Sequence, residues 1–235
     1  MIDALFDPGR PIEGRSGPCA AQVVRRGDPR AVSETCLMQG VEEVAREGYA
    51  IVPGWLDMAM LAALRGRLLA HERAGELRPA EVGRGRGRVG RSDIRGDRIL
   101  WLGSEANDAA EAGLRARLEA LRLAINRETM LGLFDFEGHY AVYPPGTAYA
   151  RHRDRFRDDD RRVVSCVAYL NEAWSADDGG ALRLHLDDGI FRDVSPMGGT
   201  LVIFLSDRFE HEVLPASRPR MTITGWFRRR ATHGI

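Results

Sequence analysis

Cysteine is scarce in this 235-residue chain, and Cys19, Cys36 and Cys166 follow no spacing pattern. Three scattered thiols argue against a disulfide framework and for a reducing interior. Net charge is lacking too, with 34 basic residues balanced by 34 acidic ones. That balance provides no general footprint for nucleic acid, although arginine is concentrated locally. Long apolar runs are absent, so no segment reaches the roughly 20 residues of a membrane span. The start lacks the charged and hydrophobic blocks of a secretion signal. The expectation is a soluble cytoplasmic protein with no membrane or nucleic-acid partner.

At 26.1 kDa the chain is long enough to enclose a cavity within one large domain. Residues 1–33 are rich in Gly, Pro and Arg without a period and read as a mobile arm; Ile12-Glu-Gly-Arg15 within them matches a protease site and is assigned no function. Residues 34–235 read as a single domain, with helical support over 34–135 and a β core over about 136–230.

A helix is expected from Ser33, with Val41, Val44 and Ala45 on its apolar side and Gly48 near its end. Tyr49 to Pro53 reads as a strand. Asp57 suits an N-cap for a second helix carrying Leu61, Leu64, Leu68 and Leu69. Gly83 to Asp97 alternates glycine with arginine but lacks the Lys and Ser/Thr of a phosphate loop; it reads as a solvated hairpin or a lid that gates substrate. Ile99 to Leu102 is a strand containing Trp101. A longer helix then places Leu114, Leu118, Leu121 and Ile125 in one stripe.

The second half has short apolar runs separated by glycine, proline or charged turns. They span Phe136–Tyr143, Tyr149–Asp154, Val163–Leu170, Ala181–Leu186, Ile190–Val194, Thr200–Leu205, His211–Leu214 and Met221–Arg228. Eight such runs predict a mainly β fold with flanking α-helices, a double-stranded β-helix or jelly roll with an interior pocket.

Tyr149-Ala-Arg-His-Arg-Asp154 places a histidine and an aspartate two residues apart on one of these strands, so both leave on the same face. With His211 downstream, His152 and Asp154 would complete the two-histidine, one-carboxylate set that holds non-haem Fe(II) and leaves positions open for substrates. A His-x-Asp pair alone is weak evidence, because composition gives roughly one by chance in every two such chains. His185 and Asp187 form a rival pair, but Leu182, Leu184 and Leu186 alternate with them and should claim the interior. Arg220 strengthens the first set. An arginine entering a barrel needs an anion, and its fork suits a terminal carboxylate. Thr222, Thr224 and Trp226 share its strand face, while Tyr143, Tyr149 and Tyr169 can supply hydroxyls and ring walls. The combination predicts a dicarboxylate co-substrate anchored by Arg220 and chelating the metal.

These residues, with Ser92-Asp-Ile-Arg-Gly-Asp97, Trp101, Val167-Ala-Tyr-Leu-Asn171, Trp174, Asp178-Gly-Gly-Ala-Leu-Arg183, Ser206-Asp-Arg208 and His211-Glu-Val-Leu-Pro215, carry a resemblance to known enzymes. Residues 36 to 230 resemble the 2-oxoglutarate and Fe(II) dependent dioxygenases, above all the prolyl 4-hydroxylase group of oxygen-sensing enzymes and their bacterial relatives. The resemblance implies His152, Asp154 and His211 as iron ligands. It implies Arg220, Tyr169, Tyr143, Tyr149, Leu182, Val213, Thr224 and Trp226 around 2-oxoglutarate, with Arg220 counted among the catalytic residues. It further implies Arg95, Arg162 and Trp226 as substrate contacts, O2 as the oxidant and ascorbate as a supporting reductant. The implied partner is a proline-containing protein or peptide, for which elongation factor Tu is one candidate. Hydroxylation of free proline or another metabolite is the alternative reaction, and a metal-binding jelly roll without activity is the non-enzymatic one.

Overall fold

The computed structural model describes residues 29–81, 94–103, 108–155 and 160–230. The first helix, α1 (Pro29–Glu47), begins inside the segment expected to be a free arm, four residues before Ser33. Residues 1–28 of that arm and 83–93 of the expected lid lie outside the described residues. Gly48, at φ +83°, ends α1 and leads into β1 (Tyr49–Val52). In α2 (Met58–Arg73) the Asp57 side chain accepts the Met60 N–H, as its sequence position implied. Asp108 does the same for Glu111 at the start of α3 (Ala109–Thr129).

Between these helices lie β2 (Arg78–Pro79) and β3 (Arg98–Trp101). Beyond α3 come β4 (Leu133–Tyr143), β5 (Tyr149–His152), β6 (Arg162–Tyr169), β7 (Leu182–His185), β8 (Phe191–Val194), β9 (Leu201–Leu205), β10 (Glu210–Val213) and β11 (Arg220–Arg229). All eight expected runs are strands. Pairing is antiparallel throughout, in a large sheet β1-β9-β6-β11-β4-β3-β2 and a small sheet β5-β10-β7-β8. The two sheets face each other in the double-stranded β-helix arrangement.

Period-two alternation sorts the side chains into layers. On β6, Val164, Cys166 and Ala168 join a core with Leu64 and Leu68 of α2 and Leu114, Leu121 and Ile125 of α3. Each fully buried leucine there contributes about 1.5–3 kcal/mol by leaving water. Val167 and Tyr169 point the other way, into a second core with Leu182, Leu184, Val194 and Val213 of the small sheet. The helices therefore brace the outer face of the large sheet, and the pocket opens on its inner face. Among the described residues no helix is long and apolar enough to cross a membrane.

Two local expectations need correction. Strand β5 stops at His152, so Asp154 is not a strand neighbour of the histidine but sits in the bend that follows. Pairing with β10 ends at the His211–His152 pair, and the chain then turns toward the β9 end, where Arg155 N–H reaches the Ser206 carbonyl at 3.3 Å. The rival Asp187 likewise lies outside its strand, in a short 3-10 turn at Asp187–Gly189, because β7 stops at His185.

Candidate active site

The small sheet supplies both histidines. His152 on β5 and His211 on β10 are direct partners, beside an irregularity that shifts the register before the Val213–Tyr149 pair. Their rings lie 4.2 Å apart. The bend after β5 brings in Asp154, and one ligand atom from each of the three side chains lies within 4.8 Å of the others.

Backbone carbonyls select which ring nitrogens face the centre. His152 Nδ1 lies 2.7 Å from the Ala150 carbonyl, and His211 Nδ1 lies 3.4 Å from that of Phe209. A proton on each Nδ1 leaves the Nε2 lone pairs free, and these atoms approach Asp154 at 3.5 Å. Ser165 donates its hydroxyl to Asp154 Oδ2 at 2.7 Å and meets Ser206 Oγ at 2.9 Å. Burial opposes ionisation of Asp154, but His211, His152 and the Ser165 hydroxyl together hold its carboxyl well below the usual range. Burial pushes His211 down to about 4, against the pull of Asp154, so its imidazole is neutral at ordinary pH. One ionised carboxylate and two imidazoles, grouped on one side of a centre, form a donor set suited to Fe(II).

Tyr149 stacks on His152 with ring centroids 3.7 Å apart. Arg95 lies 4.8 Å from the Tyr149 ring and is held in two-pronged fashion by buried Asp97, at 2.7 and 2.9 Å. Arg95, expected at the substrate, holds this internal carboxylate through its Nε and Nη2.

The large sheet supplies the other end of the pocket. Arg220, 1% exposed, pairs with Tyr143 across β11 and β4. Its guanidinium carbon is 5.2 Å from the ring centres of both Tyr143 and Tyr169. Arg220 Nε donates to the Gly180 carbonyl at 2.9 Å, whereas Nη2 and the Tyr169 hydroxyl are buried without a partner. Burial raises the pKa of Tyr169, with Arg220 opposing, so the phenol keeps its proton as a donor. Two unsatisfied buried donors, one cationic, fit a carboxylate. They meet the requirement for the far end of 2-oxoglutarate, while His152, Asp154 and His211 would hold the iron.

Leu182 and Val213 belong to the buried inner cluster, and Thr224 meets Thr222 through hydroxyls 3.1 Å apart. Trp226 lies further along the same face of β11, with Arg162 stacked 3.5 Å from its ring centre. His185 faces away and pairs with Glu212 at 3.0 Å, as the strand alternation required. Sequence reasoning passed over Ser165, Glu137 and His139. The signal was available in part: Ser165 shares parity with Val167 and Tyr169, and His139 with Ala141 and Tyr143.

Fold and site together define a non-haem iron oxygenase of the jelly-roll class. The profile of the "2OG-Fe(II) oxygenase superfamily" matches residues 138–228. A crystal structure of a Pseudomonas putida prolyl-4-hydroxylase is 47% identical, covering 83% of this chain and 100% of that one at a TM-score of 0.76. A Trichoplax adhaerens prolyl hydroxylase, solved with a hypoxia inducible factor oxygen degradation domain peptide fragment, is 25% identical at a TM-score of 0.77, covering 87% of this chain and 94% of that one. Human Egl nine homolog 1 is 38% identical over 57% of this chain, which spans only 33% of that relative's length. The chain belongs to the 2OG-Fe(II) oxygenase superfamily, in its prolyl-hydroxylase group.

Proposed function

We propose that the protein hydroxylates a prolyl residue of a protein or peptide, consuming 2-oxoglutarate and O2 and releasing succinate and carbon dioxide. The observation that carries this reading is one pocket with a His152–Asp154–His211 set and, apart from it, the unpartnered donors Arg220 Nη2 and Tyr169 Oη. Iron and 2-oxoglutarate, when bound, would supply the chemistry that activates O2, the oxidant. The chain's own residues bind and orient. Arg220 and Tyr169 select a diacid by holding its distal carboxylate, and Tyr143 closes over the guanidinium. His152, Asp154 and His211 would hold the metal and leave positions open for reactants. The apolar walls Leu182 and Val213 exclude water from the diacid.

The peptide preference draws support from the Trichoplax relative and its peptide complex. Elongation factor Tu is a candidate substrate on the ground of the resemblance to bacterial relatives, and the cytoplasm is the setting the composition suggests. The test incubates iron-loaded protein with 2-oxoglutarate, O2, ascorbate and a cell extract, then searches by mass for proteins that gain one oxygen. A single modified proline, with matching succinate, is expected. Succinate formation driven only by free proline or another metabolite would replace this reading. Iron-loaded, reduced protein that fails to bind 2-oxoglutarate would leave a non-catalytic metal-binding module.

A further inference from the structure

Two arginines oppose each other beside the pocket wall. Arg228 on β11 faces Arg162 on β6 on one side and Asp135 on β4 on the other. Like charges directly across two strands repel. Glu137, the β4 partner of Trp226, relieves the conflict. It accepts from Arg162 Nε at 2.9 Å with one oxygen and from Arg228 Nη1 at 2.7 Å with the other. Asp135 takes the remaining fork of Arg228 at 2.9 and 2.7 Å. Arg162 and Glu137 are only 19% and 26% exposed, so solvent screens these ion pairs less than it would at an open surface.

The result is a guanidinium laid over the Trp226 indole. Trp226 is 4% exposed, and its Nε1–H is buried without an acceptor. Its ring lies 6.5 Å from Trp101, which is 44% exposed, so an aromatic wall runs from the pocket toward solvent. Trp226 lies six residue steps along β11 from Arg220, about 20 Å of extended chain. Trp226 was expected beside both 2-oxoglutarate and the substrate; a five-carbon diacid clamped at Arg220 is shorter than that distance, which favours the second role and leaves the wall to the molecule being oxidised.

We propose that Glu137 is a positioning residue for substrate recognition: by bridging Arg162 and Arg228 it fixes Arg162 on Trp226 and so sets the wall against which the substrate residue is placed. The proposal rests on the hydroxylase reading above. A prolyl residue suits the wall, because its ring can pack against the exposed Trp101 and the guanidinium held over Trp226.

The experiment uses the iron-loaded full chain and capped peptides with one central proline and varied flanks. Glu137→Gln keeps the shape and removes the charge. It should raise the peptide KM about tenfold, leave the 2-oxoglutarate KM within about twofold, and shift the Trp226 indole proton–nitrogen resonance, assigned by its loss in Trp226→Phe. Glu137→Gln with Arg228→Gln removes the repulsion and should restore much of the peptide KM. An unchanged peptide KM in active Glu137→Gln protein overturns the proposal alone, as does an equal loss for peptide and 2-oxoglutarate. Wild-type protein that consumes no 2-oxoglutarate with any of the peptides overturns the hydroxylase reading itself, and this proposal with it.

Discussion

Ser165 donates its hydroxyl to Asp154 Oδ2 at 2.7 Å from β6, a strand that carries none of the three ligand candidates. The carboxylate follows a bend rather than a strand, so its aim depends on this bond. Ser165→Ala should weaken metal affinity by about 10- to 100-fold, the usual effect of losing a ligand's hydrogen-bonding partner. A Co(II) titration followed by visible absorption measures it, and Ser165→Thr, which keeps the hydroxyl, should retain most of the affinity.

Removing a ligand itself should be more severe. His211→Ala is expected to abolish stoichiometric iron binding, read by metal analysis after gel filtration. Wild-type protein at a metal concentration 100 times Kd gains about 2.7 kcal/mol, or roughly 5–10 °C in Tm. The variant should show no such rise.

Arg220→Leu should act on the co-substrate. Loss of a buried, charged hydrogen-bond donor costs about 3 kcal/mol, on the order of a hundredfold in the KM for 2-oxoglutarate. Metal affinity in the absence of 2-oxoglutarate should stay close to that of wild-type protein. A parallel loss of both would show that Arg220 supports the whole pocket rather than one carboxylate.

Gly180 supports Arg220 through its carbonyl and adopts φ +71°. An added Cβ would lie 2.9 Å from Ala216 Cβ and 3.2 Å from Trp174 Cζ2. Trp174 Nε1 is meanwhile bound to the Gly179 carbonyl at 2.9 Å, which limits its retreat. Gly180→Ala should therefore lower stability by about 1–2 kcal/mol and raise the 2-oxoglutarate KM. Urea unfolding and initial-rate kinetics check the two effects.

Buried His139 gives the apoprotein a pH signature. Burial, followed by the nearby Arg95 charge, depresses its pKa to about 4, from an ordinary value near 6.5. Between those values the unfolded chain binds the proton and the folded protein does not, so stability rises with pH. The contribution is complete above pH 6.5 and is lost as pH falls toward 4; the full shift corresponds to about 3 kcal/mol. His139→Gln, which cannot titrate, should flatten the slope of urea midpoint against pH in that window. An unaltered slope would assign the effect to other groups.

The strands and helices were legible because their signals are local. Leu114, Leu118, Leu121 and Ile125 recur at helical spacing, and all four are buried against the large sheet. Alternation also turned His185 outward and Arg220 inward before any partner was known. It failed at Asp154, where an expected strand stopped two residues early, because strand length depends on what a neighbouring strand pairs with.

The sequence by itself determined the residue types at the site, the parity of most of their side chains and the order in which they enter the fold. Those properties depend on chain chemistry and on a two- or 3.6-residue period. Only the tertiary structure decided that His152 lies opposite His211, that Ser165 restrains Asp154 and that Glu137 separates Arg162 from Arg228. Each is a pairing between segments distant in the chain, set by register across strands, and no period within one segment encodes it.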